Sequence, residues 1–315
     1  MAELIKSIVG HKNIKSRLMR SISEERFASC LLFNGPSGVG KKKLALACIQ
    51  ALFCETSRTG ACGLCPSCIR VEKGQHENLL MVEPDSSQIK VDEVAPIQDF
   101  VRLRLLGRAR AILINDAHLL NLQAANSLLK TLEEPPPSTY FFLITAQENL
   151  LPTTIRSRAQ TVRVGPLTPT ELSQIVVDAK PWMIASSQGR VDFLEQLQSA
   201  DTESLRQDIL NLLEAFLSGE RIDAFGKIAA LVKEKPTASF LISTWQQILR
   251  DSWLMKNSLN QFLHLDQTRL IQKVSQLSLD QLEKFYLSLV EIEKGLNINM
   301  DRVLSFENLW FELRA

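Results

Sequence analysis

The rhythm of hydrophobic and polar positions changes once along the chain. In the first half, short apolar-rich, strand-like runs at 29–34, 79–82, 111–115, 140–145 and 160–164 read as strands. Apolar residues recur at helical spacing near 12–23, 41–53, 91–105 and 122–132, and the last of these stretches is stopped by Pro135-Pro136-Pro137, which cannot continue a helix. Strands alternating with amphipathic helices predict a parallel sheet flanked by helices. After Gly165-Pro166 the strand-like runs cease, and 3.6-residue periodicity governs 205–217, 224–232, 240–254 and 277–292. The expected organisation is an α/β domain at 1–165, a small helical domain at 166–202 and a helical bundle at 203–315. There is no internal repeat and no low-complexity tract.

Composition narrows the function without specifying it. The 315 residues are 45% hydrophobic and 23% charged, with a formal net charge of +1. No global basic field announces nucleic acid, so contact with DNA would have to come from local patches or partner subunits. No stretch of 18 apolar residues is present, and Met1-Ala2-Glu3-Leu4-Ile5-Lys6 lacks the apolar core of a signal peptide. The six cysteines all lie between positions 30 and 68. That crowding suits a metal site in a reducing cytoplasm better than a spread disulfide framework.

Gly35-Pro36-Ser37-Gly38-Val39-Gly40-Lys41 follows a predicted strand and opens a predicted helix. That context makes it a phosphate-binding loop. Gly35, Gly38 and Gly40 let backbone N–H groups curl around phosphate, and Lys41 reaches the terminal oxygens. The next position should carry the Ser or Thr hydroxyl that ligates Mg²⁺; here it is Lys42, followed by Lys43. An ammonium repels a cation, although it can pair with phosphate oxygens. A second deficit lies at the end of the strand 111–115. Asn115 stands where a metal-site carboxylate is expected, and Asp116 takes the place of a catalytic glutamate. A polar strand end explains Asp116 equally well on its own. Taken together, Lys42 and Asn115 argue against intrinsic ATP hydrolysis.

Cys54, Cys62, Cys65 and Cys68 form C-x7-C-x2-C-x2-C. The two-residue gaps let thiolates converge on one tetrahedral Zn²⁺, and four thiolates imply a structural role. Gly60, Gly63 and Pro66 supply turns, whereas Cys30 and Cys48 fall at apolar positions and read as core. His76, eight residues past the last cysteine, reads as an exposed loop histidine in preference to a fifth candidate ligand.

The P-loop, the four-cysteine insertion, the run from Ala124 through Lys130-Thr131-Leu132-Glu133-Glu134-Pro135-Pro136 and the run Leu151-Pro152-Thr153-Thr154-Ile155-Arg156-Ser157-Arg158 together resemble the bacterial clamp-loader AAA+ family. Leu296-Asn297-Ile298-Asn299 and Glu307-Asn308-Leu309 resemble its final collar helices more loosely. The resemblance implies an α/β P-loop (AAA+) domain with a zinc insertion, then a helical lid and an all-α collar. It also implies gamma/tau and delta partners, and work on the sliding clamp and primed DNA through the assembly. The incomplete P-loop separates this chain from the family's motor subunit.

The family's Ser-Arg-Cys motif maps onto Ser157-Arg158-Ala159, which makes Arg158 an arginine finger acting in trans on a neighbour's ATP. The polar residue that senses the γ-phosphate would align with Ala146. Arg190, after Gly189, resembles the lid's sensor arginine, and a solvated helix-start residue fits it equally. The cluster Arg102, Arg104, Arg108 and Arg110 reads either as a DNA-facing surface or, in preference, as a solvated helix face. Two other functions compete with the clamp-loader subunit: a self-sufficient DNA-dependent ATPase, and a zinc-dependent nucleic-acid-binding module. ATP or ADP binding, if retained, is expected to be weak or vestigial.

Overall fold

The structure is a computed structural model that describes residues 3–85, 88–218, 221–296 and 301–312. Asn297, Ile298 and Asn299 of the collar resemblance lie outside the described residues. The chain forms two compact units: Met1–Ile175 with Gly189–Asp192, and Val176–Gln188 with Phe193–Ala315.

The first unit runs α1 (Leu4–Ser7), α2 (Lys12–Ser23), β1 (Cys30–Asn34), α3 (Lys41–Phe53), α4 (Pro66–Glu72), β2 (Leu79–Val82), α5 (Val91–Arg102), β3 (Arg110–Ile114), α6 (Leu122–Glu133), β4 (Thr139–Thr145), α7 (Thr153–Arg156), β5 (Gln160–Arg163) and α8 (Pro169–Ile175). Its five strands pair in parallel in the order β2-β3-β4-β1-β5. Successive side chains leave opposite faces of a strand, and both faces here are covered. Leu31, Phe33, Leu113, Phe142 and Ile144 join the core that contains α3, while Leu32, Ile112, Ile114, Phe141 and Leu143 join the one that contains α5 and α6. Burial on both sides is why β1, β3 and β4 read as nearly continuous apolar runs, whereas the edge strand β5 is largely exposed and mixes polar residues.

One expected helix is shorter than its periodicity. The stretch 91–105 stays helical only to Arg102, and Leu103 turns extended with φ −61° and ψ 151°. Arg110 supplies the reason. It is 3% exposed, its Nη1 donates to Val101 O at 2.6 Å and its Nη2 to Leu103 O at 2.6 Å. The guanidinium thereby satisfies carbonyls at the helix end that another turn would have used. Arg110, stacked over Phe100 at 5.2 Å, is thus a structural residue and does not extend the basic surface of Arg102 and Arg104.

The second unit is helical: α9 (Pro181–Ser186), α10 (Val191–Leu197, whose first two residues cluster with the first unit), α11 (Ala200–Ser218), α12 (Arg221–Leu231), α13 (Lys235–Lys256), α14 (Thr268–Val274), α15 (Leu279–Gly295) and α16 (Arg302–Glu312). Trp245 on α13 centres its core, with Phe216, Phe285 and Phe306 around it at 5.2–5.8 Å. Among the described residues no helix is long and apolar enough to cross a membrane.

A buried polar cluster should make this unit sensitive to acid. His264 is fully buried; Arg206 Nη2 donates to its Nδ1 at 3.0 Å, and its Nε2 donates to Gln247 Oε1 at 3.0 Å. Both ring nitrogens are committed in the neutral form. Burial, with the Arg206 charge beside it, pushes the His264 pKa down to about 3. A histidine with a depressed folded pKa binds its proton more readily when unfolded, so stability falls as pH drops below the unfolded value near 6.5. Between pH 7 and pH 4 urea denaturation should therefore show a loss of about 3 kcal/mol from this residue. His264→Gln should flatten that part of the pH dependence, and an unchanged slope would show that His264 is not its source.

Candidate nucleotide and metal sites

All five strands are parallel, so their carboxyl ends share one edge, where ligands of open α/β sheets bind. β1 delivers Gly35–Gly40 to that edge and α3 begins at Lys41, with Gly40 as its N-cap. Gly38 and Gly40 have φ of 71° and 93°, the left-handed region that side chains disfavour. A Cβ at Gly35 would overlap the Val164 carbonyl, so only glycine fits there. Lys41 is 6% exposed, and its Nζ donates to Gly35 O at 2.7 Å and to Pro36 O at 2.6 Å. Burial pushes its pKa down, against the opposing fields of Asp116 and Asp192.

The polar replacements around this loop, Lys42 and Asn115, are paired within the chain. Lys42 forms an ion pair with Glu83, which follows β2. Asn115 Nδ2 donates to Asp116 Oδ2 at 3.1 Å, and Asp116 itself is left-handed, with φ 46°. Thr145 is fully buried at the end of β4. Its hydroxyl lies 3.2 Å from His118 Nδ1 and accepts from Gln147 N at 3.0 Å, while the adjacent Ala146 offers no polar side chain. At the positions where the Mg²⁺ ligands are expected stand an ammonium (Lys42), an amide (Asn115) and one carboxylate (Asp116).

The segment after α9 approaches the same loop. Val191 N donates to Gly38 O at 3.0 Å. Arg190 forks onto Asp192, with Nε to Oδ1 at 3.3 Å and Nη2 to Oδ2 at 3.0 Å. Arg158 lies elsewhere in the unit, just past α7. Its Nε donates to Glu133 Oε1 at 2.8 Å and its Nη1 to Thr154 O at 2.8 Å, with the side chain about one-third exposed.

The four cysteines converge. One sulfur from each of Cys54, Cys62, Cys65 and Cys68 lies within 4.8 Å of every other. Tetrahedral Zn–S bonds of about 2.3 Å require sulfur–sulfur edges of about 3.8 Å, close to the 3.9 Å between Cys62 and Cys68. Backbone N–H groups aim at the sulfurs: Ser57 and Cys62 at Cys54, both at 3.3 Å, and Leu64 and Cys65 at Cys62, at 3.4 and 3.3 Å. The Thr56 hydroxyl and the backbone N–H groups of Leu64 and Cys65 hold the Cys62 thiol down to about 6, favouring the thiolate a metal needs. The donor set fits a zinc ion. Cys30 and Cys48 are buried in the core, as expected.

His76 is not the exposed loop residue expected from the sequence. It is 6% exposed, tilted against Phe53 at 4.6 Å, with Nε2 2.7 Å from Ser67 Oγ. Asn78 N donates to Nδ1 at 3.1 Å, which fixes Nδ1 as acceptor and Nε2–H as donor to the serine. In that tautomer the imidazole cannot take the hydroxyl proton. The pair is a brace for the turn between Cys65 and Cys68 and not a catalytic dyad.

The sequence profile of the family described as "DNA polymerase III, delta subunit" matches residues 10–168, just over half of the chain. The chain belongs to this family. It is 36% identical over 169 residues to the DNA polymerase III subunit delta' of Bacillus subtilis (strain 168), covering 53% of this chain and 51% of that one. It is 38% identical over 135 residues to the delta' subunit of Pseudomonas aeruginosa, covering 42% and 41%. The tau subunit of Escherichia coli (strain K12) is 36% identical over 153 residues, 48% of this chain and 24% of that one. The chain thus spans about half, or less, of the length of the curated relatives it matches.

Within this DNA polymerase III subunit family member, sequence reasoning overlooked the partners of its own candidates. Glu83, Glu133 and Asp192 pair with Lys42, Arg158 and Arg190. Arg108, read in the sequence as part of a DNA-facing cluster or, in preference, a solvated helix face, spends its Nη1 on Cys54 O and Ser57 O at 2.5 and 2.8 Å, tying down the cysteine module. Only the acid at Arg190+2 lies close enough in sequence to have been found locally.

Proposed function

We propose that this chain is a clamp-loader subunit of a bacterial DNA polymerase III. It completes an AAA+ ring with gamma/tau and delta partners and lends Arg158 to a neighbouring ATPase site. Through that assembly it serves the sliding clamp and primed DNA in the cytoplasm. Residues 1–165 form the P-loop domain, 166–202 its lid and 203–315 the collar through which the ring assembles. A structural Zn²⁺ is held by Cys54, Cys62, Cys65 and Cys68.

The observation that carries this reading is the contrast around the sheet edge. The glycine loop keeps the strand–loop–helix placement of a P-loop, yet Lys42, Asn115 and Ala146 stand where groups for metal and γ-phosphate are expected, while Arg158 is kept. Magnesium-dependent hydrolysis needs a hydroxyl and carboxylates around the metal. Here Lys42 brings a positive charge to that place and is itself engaged by Glu83. Phosphate release by the purified chain with primed DNA should therefore stay at background and be indifferent to Lys41→Ala. Robust turnover abolished by that substitution would instead establish the self-sufficient ATPase.

A further inference from the structure

Lack of hydrolysis does not decide whether nucleotide binds. Many of the groups a triphosphate would use remain: the glycine loop, Lys41 and Arg190. What stands at them is an acid. A Cβ on Gly38 would overlap the Asp192 carboxylate, Oδ1 first and then the carboxyl carbon, so that carboxylate lies directly against the loop. The Val191 N–H to Gly38 O bond at 3.0 Å fastens the neighbouring residue to the same glycine. Arg190 is turned onto Asp192 through two N–H groups, and Asp192 is one of two acids whose fields reach Lys41.

We propose that Asp192 determines what this P-loop accepts: its carboxylate stands against the anion cradle and excludes the polyphosphate of ATP and ADP. The inference rests on reading Gly35–Lys41 as a phosphate loop. An incoming polyphosphate must displace a carboxylate from Gly38, break the fork that holds Arg190, and bring its charge beside Asp116 and the displaced Asp192. Like charges brought together in a partly desolvated cleft oppose binding strongly, which is how a site rejects a ligand without losing its shape. One side chain thus blocks the loop and withdraws the arginine that would greet a terminal phosphate. Removing its charge while keeping its size reverses both effects.

The test is equilibrium binding of a methylanthraniloyl-labelled ATP and the corresponding ADP to the full chain, without added magnesium, for wild type, Asp192→Asn and Asp192→Asn/Lys41→Ala. Asparagine preserves volume and an acceptor, and matching melting curves establish that the variants are folded. Wild type should show no saturable binding, Asp192→Asn should bind at least about tenfold more tightly, and the double variant should lose the gain. Equal affinity of wild type and Asp192→Asn, or a gain that survives Lys41→Ala, overturns the proposal. Phosphate release by Asp192→Asn is read in parallel. Its appearance would sink the non-hydrolysing reading of the pocket and leave the role of Asp192 intact.

Discussion

Arg158→Ala should lower ATP turnover by an assembled clamp loader about 10³-fold or more, with little change in the chain itself. An arginine inserted into a neighbour's phosphate site stabilises the charge of the transferring phosphoryl group and contributes about 10³–10⁵ in rate. In the isolated chain the same guanidinium is bonded to Glu133 and Thr154 O, and both side chains of the ion pair are substantially solvent-exposed. Such a pair contributes about 0–1 kcal/mol, so its loss should barely move the melting temperature. Catalysis and stability therefore separate. A surface arginine would give two small effects, and a structural one would lower stability and assembly together. Arg158→Lys sharpens the distinction, because lysine keeps the charge without the fork and should recover only part of the rate. Turnover within a few-fold of wild type in a fully assembled Arg158→Ala loader would remove the proposed role.

The parallel sheet and its helices were legible because they depend on local spacing. The centre of the run 29–34, Cys30 to Phe33, is apolar at consecutive positions since both faces of the sheet are covered there, and no long-range knowledge is needed to see that. The glycine loop's placement between β1 and α3 was legible for a similar reason, its pattern being compressed into seven consecutive residues. What the sequence hid are relationships between distant positions. Arg110 looks like one more basic residue until its guanidinium is found capping the carbonyls of Val101 and Leu103, which also explains why α5 stops early. His76 looks exposed because it follows a polar, glycine-containing turn, yet Phe53 and Ser67 close over it. Asp192 sits 154 positions from Gly38, and nothing in either local pattern announces that they meet.

Removal of metal should do more than loosen an insertion, because the cysteine module is anchored to the helix that carries the P-loop. α3 starts at Lys41, after Gly40, and is capped at its other end by Cys54, about 20 Å away, so one end of the helix presents the phosphate loop and the other the first sulfur. Further ties converge there. Gln50 Nε2 donates to Cys68 O at 3.2 Å, Leu4 N donates to Gln50 Oε1 at 2.9 Å, and Arg108 holds the carbonyls of Cys54 and Ser57. Structural zinc sites have apparent binding free energies of about 10–16 kcal/mol, comparable to the whole stability of a domain at about 5–15 kcal/mol. Protein purified without chelator should carry one zinc per chain by elemental analysis. Chelation, or Cys68→Ser, should expose residues 54–72 to proteolysis and lower the melting temperature of the first unit. Cys48→Ala, in the core outside the cluster, should leave metal content unchanged whatever it does to packing. Metal content far below one per chain, or a melting curve indifferent to chelation, would show that the four thiols are held together by packing alone. Specific DNA binding that vanishes with the metal would instead favour a nucleic-acid-binding module. The predicted signature of a structural site is loss of fold in the first unit, with no DNA affinity of its own to lose.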